Sequence, residues 1–421
     1  MFKNLIDKKY NGLELTQTEY YEAIDKFVAC GVCKESMKFF VSLNSFGMSN
    51  KEVLFLTKAL RDSGKVLSFE DCVFEKHSTG GVGDSTSVVL VPLLASLGYK
   101  MIKTTGKSFV FTNGSADRFG AIPDFKVSLK LDSIEKVLSK TNACVLSHDE
   151  IMCPADKLLY DVREVCGLEG DINLLAASIA AKKLASGAKV VLVDIKFGYS
   201  SIVKTYEDAV KLAKLLKYIF RKSKVESVVV ITNTLQTIGE GIGNAVEVVD
   251  ALKVLQGRHC LLRDVAVEYA TQMIMKADKK LKRQDVVDMV SMALDNGSAY
   301  RKFMQIIKMQ GGNANLVKSA KMFIPYKSVN FLANRDGYVG SINSLMLGEM
   351  VRRMCAENHD NNIGIVQRTK IGDQVKCGDV VVTLYYKEDA DLERYKSAIS
   401  GCIRVTSEKI APVDVIKKVI N

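Results

Sequence analysis

The stretch Lys76-His77-Ser78-Thr79-Gly80-Gly81-Val82-Gly83-Asp84-Ser85-Thr86-Ser87 gathers groups that can bind an anion and handle a proton. It follows Cys72-Val73-Phe74-Glu75, which alternates like a strand, and precedes an apolar run of helical length from Val88 to Leu97. A strand, a glycine-rich loop and a helix N-terminus in that order let backbone N–H groups converge on a phosphate, with no Cβ in the way at the glycines. Lys76 adds a positive charge, and Ser78, Ser85, Thr86 and Ser87 add hydroxyls. His77 adds a group that titrates near neutrality. The stretch lacks the Lys-Ser/Thr of the Walker loop and the GxGxxG spacing of dinucleotide folds. Residue types alone therefore leave two readings, a phosphate cradle or a tight strand-to-helix turn without a ligand.

Two further pairs have spacings that share a helix face. Tyr160 and Arg163 are three apart, and Ser178 and Lys182 are four apart. Arg163 and Lys182 supply fixed positive donors, and Tyr160 and Ser178 supply directional hydroxyls. The alternative for each pair is a solvated helix face, since charged side chains are mostly exposed.

The elements that must position these residues follow from pattern. Residues 1 to about 65 read as helical, with capping boxes at Thr16/Glu19 and Ser49/Glu52 and apolar residues at helical spacing (Tyr20, Ile24, Phe27 and Val28; Val53, Leu56, Ala59 and Leu60). From about 71, strand-like runs at 99–103, 143–147, 189–195 and 226–232 alternate with helical runs at 88–97, 132–140 and 206–221, which predicts an α/β domain with a mostly parallel sheet. A helix from Asn173 to Leu184 interrupts the alternation. Beyond Pro325 short β-rich runs dominate, and Ile371 to Tyr386 alternates like a hairpin around Gly-Asp turns.

Composition narrows the function classes. A chain of 421 residues is long enough for two or three domains. No apolar run approaches the ~20 residues of a membrane span, and Met1 to Gly12 lacks a secretory pattern; the expectation is a cytoplasmic protein that binds neither membrane nor nucleic acid. The net charge of +11 comes from lysines and arginines scattered among acids, without a dense basic run. Cys30 and Cys33 form a CxxC with no second pair to complete a zinc site, so the ten cysteines read as free thiols, and His148, His259 and His359 lack ligand spacing. No metal is expected.

KHSTGGVGD, followed by STS and an apolar helix containing Pro92, resembles the signature of the thymidine phosphorylase and pyrimidine-nucleoside phosphorylase family. The resemblance continues in order through AIPDF (Ala121 to Phe125), DKLLYDVREV (Asp156 to Val165), ASIAAKKLASG (Ala177 to Gly187), VLVDIKFG (Val191 to Gly198) and GEGIGNAVEV (Gly239 to Val248). It implies a discontinuous helical domain (1–65 and 155–187), a large α/β domain (70–150 and 188–325) and a C-terminal α+β domain (330–421) with a half-barrel like that of biotinyl and lipoyl domains. The implied substrates are a pyrimidine nucleoside and inorganic phosphate, with no cofactor. The implied phosphate ligands are Lys76, Ser78, Ser87, Thr105 and Ser115. Tyr160, Arg163, Ser178 and Lys182 would hold the base, and His77, Arg163 and Lys182 would act on the leaving group. A homodimer through the helical domain, closing by a hinge, is also implied. Some members bind a monovalent cation such as K+; the matching positions are Gly83, Ser85, Ile238, Gly241 and Asp250.

The chain departs from the family pattern where the second phosphate-side segment runs from Thr105 to Arg118: Lys107 stands for an Arg, Phe111 for a His, and Ser108, Val110 and Asn113 for glycines. Gly198-Tyr199-Ser200-Ser201 replaces GSGA, and Cys355-Ala356-Glu357-Asn358 replaces a GAGR-type loop. These departures leave two other readings open: a catalytically weak paralogue that binds nucleoside or phosphate, and a phosphoribosyl-type transferase of the anthranilate phosphoribosyltransferase kind.

Overall fold

The computed structural model describes residues 1–106, 114–147, 151–319, 323 and 326–421. Lys107, Ser108, Val110, Phe111, Asn113 and His148 lie outside the described residues.

The chain starts with α1 (Phe2–Tyr10), α2 (Gln17–Cys30), α3 (Lys34–Phe46) and α4 (Asn50–Asp62). Both capping boxes form: Thr16 and Ser49 accept the N–H of Glu19 and Glu52, whose carboxylates accept the N–H of Thr16 and Ser49 in return. Glu52 also pairs with Lys9 at 2.9 Å and accepts the Leu15 N–H, so a single buried carboxylate ties α4 to α1 and to the approach to α2. Tyr20, Ile24 and Phe27 are buried as expected, but Val28 is 40% exposed. One residue past Phe27 is about 100° further round the helix, off the apolar stripe.

Next come β1 (Val73–Ser78), α5 (Thr86–Ser96), β2 (Lys100–Thr105), α6 (Ser115–Gly120), α7 (Leu131–Thr141) and β3 (Ala143–Ser147). The chain then returns to the helical part as α8 (Pro154–Val165) and α9 (Ile172–Ala185). After them run β4 (Val190–Phe197), α10 (Tyr206–Lys222), β5 (Glu226–Asn233), β6 (Gly241–Ile242), α11 (Asn244–Leu255), α12 (Leu261–Ala277), α13 (Arg283–Asp295), α14 (Ser298–Met309) and α15 (Ala314–Lys318). The C-terminal part holds β7 (Lys327–Leu332), β8 (Gly337–Ile342), α16 (Ser344–Asn358), β9 (Gly364–Gln367), β10 (Gln374–Val375), β11 (Val380–Tyr386), α17 (Asp389–Gly401), β12 (Ile403–Thr406) and β13 (Ile416–Ile420).

The main sheet has six strands in the order β13-β5-β4-β1-β2-β3, parallel except for β13. From β1 the chain moves outward through β2 and β3, then resumes on the other side of β1 as β4 and β5. The carboxyl ends of β1 and β4 thus flank a topological switch point, where open parallel sheets leave a crevice. His77, Ser78 and the glycine loop sit there. The apolar α5 is buried from Thr86 to Ala95 and fixes the far side of that loop.

Two smaller sheets, β10-β8-β12 and β6-β9-β11-β7, share an apolar cluster that includes Val339, Leu347, Ile365, Val382 and Leu384. The expected hairpin from Ile371 to Tyr386 does not form. The turns do occur, with Gly372 and Gly378 at φ 95° and 92°, but β10 pairs with β8 while β11 pairs with β7 and β9. A two-residue strand has too little pattern to specify its neighbour. Cys355–Asn358 forms the last turn of α16 rather than a loop. The sheets also exchange strands: β13 lies beside β5 in the large sheet, and β6 lies beside β9 in a small one.

One buried ion pair crosses from the helical part to the sheet. Lys183 of α9 reaches Glu75 of β1 at 2.5 Å and the Thr104 carbonyl and hydroxyl of β2 at 3.1 and 2.7 Å. Removing one partner strands a buried charge, so Lys183→Met should destabilise the fold by about 3–5 kcal/mol, with much of that regained when Glu75→Leu is added. Urea unfolding of both variants measures this, and a double variant no more stable than the single one would show that the pair does not carry the effect.

Candidate active site

A cavity of about 590 Å³ opens at the carboxyl ends of β1 and β2 and extends to α8 and α9. Lys76, His77, Ser78, Ser87, Lys103, Thr105, Ser115 and Arg118 line it from the sheet side; Tyr160, Arg163 and Lys182 line it from the helical side. Among the expected site residues, Ser178 does not line it. It is buried behind Lys182, whose Nζ donates to its Oγ at 2.7 Å.

Lys76 is not the free cation its position in the loop implied. Its Nζ donates to Thr86 Oγ1 at 2.7 Å and lies 3.7 Å from Asp84 and 3.6 Å from Asp194. Lys196 completes the cluster, 2.6 Å from Asp194 and 3.4 Å from Asp84. Burial holds Lys76 below its ordinary pKa even against both carboxylates. Burial alone would raise Asp84, but the ammonium groups of Lys196 and Lys76 hold it well below the usual carboxylate range. Ser78 Oγ donates to Asp84 at 3.0 Å, and Asp84 in turn accepts the Thr86 N–H at 3.2 Å. Asp84 therefore braces the loop from both ends. Gly83, at φ 65°, leaves no room for a side chain, because a Cβ there would lie 2.8 Å from Thr237 Cβ.

Lys103 of β2 is a different kind of lysine. Among the described residues its Nζ reaches only carbonyls, those of Lys76 at 3.0 Å and Thr104 at 3.2 Å. Burial, and then the charge of Lys183, hold it well below its ordinary value. Thr105 Oγ1 accepts the Ala116 N–H at 3.2 Å, and Ser115 begins the short α6 beside it. His77 is half-buried. Desolvation first, then the ammonium groups of Lys183, Lys182, Lys103 and Lys76, hold its imidazole well below 6.5. It is neutral near pH 7.

On the helical side, α8 starts at Pro154, and the spacings of four and three residues put Asp156, Tyr160 and Arg163 on one face of it. Lys182 of α9 forms a buried ion pair with Asp156 and lies 3.3 Å from Tyr160 Oη, with its Nζ 4.5 Å from the Tyr160 ring centre. Burial would lower Lys182, but the Asp156 carboxylate outweighs it and holds the ammonium above its usual range. Arg163 is fully buried, donates to the Glu169 carbonyl at 2.6 Å, and lies 5.6 Å from the Tyr160 ring centre.

Asp84, Lys103, Asp156, Asp194 and Lys196 were not singled out by pattern. The signals were present: Asp84 sits inside the glycine motif, and Asp156 is one helical turn before Tyr160. Among the described residues, no group of three or more His, Cys, Asp or Glu is placed to hold a metal ion. Oxygen atoms suited to a monovalent cation do converge beside the glycine loop. A Cβ on Gly239 would meet Asp250 Oδ2 at 2.6 Å, the Gly83 carbonyl at 3.2 Å and Ser85 Oγ at 3.4 Å. Ser85 Oγ is buried without a hydrogen-bond partner. Hard oxygen donors of this kind fit K+.

Two family models match the chain: the a/b domain of a glycosyl transferase family over residues 70–300, and the pyrimidine nucleoside phosphorylase C-terminal domain over residues 338–406. The chain is 31% identical to the pyrimidine-nucleoside phosphorylase of Bacillus subtilis (strain 168), over 97% of each. It is 30% identical to that of Geobacillus stearothermophilus, over 99% of each. Among solved structures, anthranilate phosphoribosyltransferase from Thermus thermophilus superposes with a TM-score of 0.60 at 16% identity, covering 73% of this chain and 99% of that one, a likeness of fold. With matches of this extent, the chain belongs to the pyrimidine-nucleoside phosphorylase family.

Proposed function

We propose that the chain catalyses the reversible phosphorolysis of pyrimidine nucleosides or deoxynucleosides, giving the free base and the pentose 1-phosphate. The observation that carries this reading is that one cavity joins two polar sets from different parts of the fold. The glycine loop, Lys103, Thr105 and Ser115 form one end, and Tyr160, Arg163 and Lys182 the other. Phosphate at the first end would give the Lys103 ammonium an anionic partner, which its present carbonyl contacts do not supply. Lys76 and Ser78 act as part of the braced loop, and Ser87 adds a hydroxyl.

As phosphate oxygen bonds to C1′, the C1′–N1 bond breaks and its electron pair passes to the pyrimidine. Donors that strengthen as this charge grows lower the barrier. In this reading Arg163 and Lys182, which line that end of the cavity, are those donors, while Asp156 and Ser178 hold Lys182 in place. His77 is neutral, so it donates a hydrogen bond to the base rather than delivering a stored proton. In this reading residues 1–65 with 155–187 carry the base side, 70–150 with 188–325 the phosphate side, and 330–421 braces the loop from behind. Bound K+ would be held by Gly83, Ser85 and Asp250 and would supply positive charge that steadies the loop.

Base release from thymidine or uridine should require inorganic phosphate; release that ignores phosphate would make the chain a hydrolase, and nucleoside binding without turnover would make it a binding protein. In that assay Arg163→Ala should lower kcat/KM by at least ~100-fold, with Arg163→Lys restoring only part, because an ammonium lacks the planar fork. Lys103→Met should act mainly through KM for phosphate; an unchanged phosphate KM would remove Lys103 from that site.

His77 should show no titration between about pH 6 and 8 in histidine-selective NMR, because desolvation first, and then four nearby lysines, oppose its protonation. With only four histidines in the chain its signal is assignable. A midpoint near the ordinary value would overturn the neutral-donor role.

A homodimer through α1 and α3 is supported by exposed apolar side chains on that face. Tyr10 and Phe46 are 72% and 45% exposed, their rings 5.6 Å apart. Sedimentation should give about twice the chain mass of 46.4 kDa, and Phe46→Glu should shift it toward the single chain; a wild type sedimenting as one chain removes the dimer.

A further inference from the structure

Cys30 ends α2 and Cys33 precedes α3, with Gly31 and Val32 between them. Gly31, at φ 67°, turns the chain in a conformation glycine adopts without a Cβ penalty. That turn brings the two Sγ atoms to 3.6 Å. Cys30 is exposed and Cys33 partly so. Neither lines the cavity.

The two thiols differ. Cys33 stands at the positive end of α3, a helix of 13 residues, and its N–H donates to Ser36 Oγ at 2.9 Å. Hydrogen bonding with Ser36 holds its thiol below the ordinary value. Cys30 stands at the opposite, negative end of α2, with the Gly31 carbonyl 3.5 Å from its sulfur. Partial burial, then the neighbouring Cys33, push it up. The pair thus has an attacking thiol and a resolving thiol, already within about 1.5 Å of the ~2.05 Å separation of a disulfide. Cys72 and Cys377 are exposed, and Cys144, Cys153 and Cys402 are buried. Of these, the buried thiols are shielded from solution reagents.

We propose that Cys30 and Cys33 form a thiol–disulfide exchange site on the helical part, with a small-molecule disulfide such as oxidised glutathione as its partner. The Cys33 thiolate attacks one sulfur of that disulfide. The S–S bond breaks, and its electron pair leaves on a glutathione thiolate, which takes the proton Cys33 gave up. Cys30 then loses its proton and attacks Cys33 Sγ in the mixed disulfide, and the second glutathione leaves with the bonding pair and that proton. Two protein thiols are oxidised to one disulfide while one glutathione disulfide is reduced to two thiols.

The test exposes the reduced full chain to oxidised glutathione at neutral pH, blocks remaining thiols by alkylation and maps the peptides by mass. The wild type should gain a Cys30–Cys33 link, whereas Cys72 and Cys377 gain only glutathionyl groups. Cys30→Ser should trap a glutathionyl group on Cys33. Cys33→Ser should leave Cys30 reacting at least ~10-fold more slowly than Cys33 does in Cys30→Ser, since the thiolate is the nucleophile. Circular dichroism checks that both surface serine variants fold. Separate glutathionyl groups on Cys30 and Cys33 in the wild type, or a Cys33 no faster than Cys377, would overturn the proposal.

Discussion

Lys182 and Lys183 are adjacent on α9, yet their charges go to opposite sides of the cleft. Lys182 turns to Asp156, Tyr160 and Ser178 within the helical part. Lys183 turns to Glu75 and Thr104 in the sheet. Successive residues on a helix point about 100° apart, so one helix can serve both walls only if it lies along the boundary between them. Burial then enforces the arrangement. Each ammonium needs a carboxylate in a medium where an unpaired charge costs several kcal/mol. The Lys183 contacts thereby tie α9 to β1 and β2 along one wall of the cavity.

The same economy of charge explains the electrostatics of the cavity. Lys76 and Lys196 are opposed by Asp84 and Asp194, and Lys183 and Lys182 by Glu75 and Asp156. Among the described residues, Lys103 is left with carbonyl oxygens. It is also the lysine lining the cavity that burial and neighbouring charge push well below its ordinary value. An anion entering beside it favours the ammonium form, and the attraction between the two is that same effect. The net charge of +11 therefore says little about this site; what matters is a local surplus inside a braced ring of opposite pairs.

What the sequence made legible was local. The capping boxes, the strand, glycine loop and helix order around His77, and the helix faces carrying Tyr160, Arg163 and Lys182 all depend on residues a few positions apart. The partners of Lys76 were not legible in the same way, because Asp194 lies on another strand and reaches Lys76 only through the β1–β4 pairing. Without it, Lys76 reads as a free phosphate ligand. Ser178 has the right spacing from Lys182 but faces inward, and spacing cannot tell the front of a side-chain pair from its back. The misread hairpin at 371–386 has the same origin. Turn chemistry is encoded locally, whereas the choice of partner strand is settled by packing.

The segments joining the helical part to the sheet are themselves tied together. The Lys65 N–H donates to the Ile151 carbonyl and the Leu67 N–H to the Ala185 carbonyl, each at 2.8 Å, so all the crossings meet in one place. They are packed closely there: a Cβ on Gly64 would lie 2.6 Å from the Ile151 and Met152 carbonyls, and one on Gly187 2.6 Å from the Leu67 carbonyl. Gly187 ends the turn after α9, whose Lys183 lies one helical turn away, paired with Glu75. Any rotation of the helical part that closes the cleft while keeping that ion pair must pivot near this bundle. Motion about a distant axis would separate Lys183 from Glu75 and expose both charges to the penalty of losing their partner. The C-terminal part is barred from a free swing for another reason, since β13 and β6 are each hydrogen-bonded into the other part's sheet. A rotation about this bundle would leave the sheet and the C-terminal part together and would move Tyr160 and Arg163 of α8 relative to them.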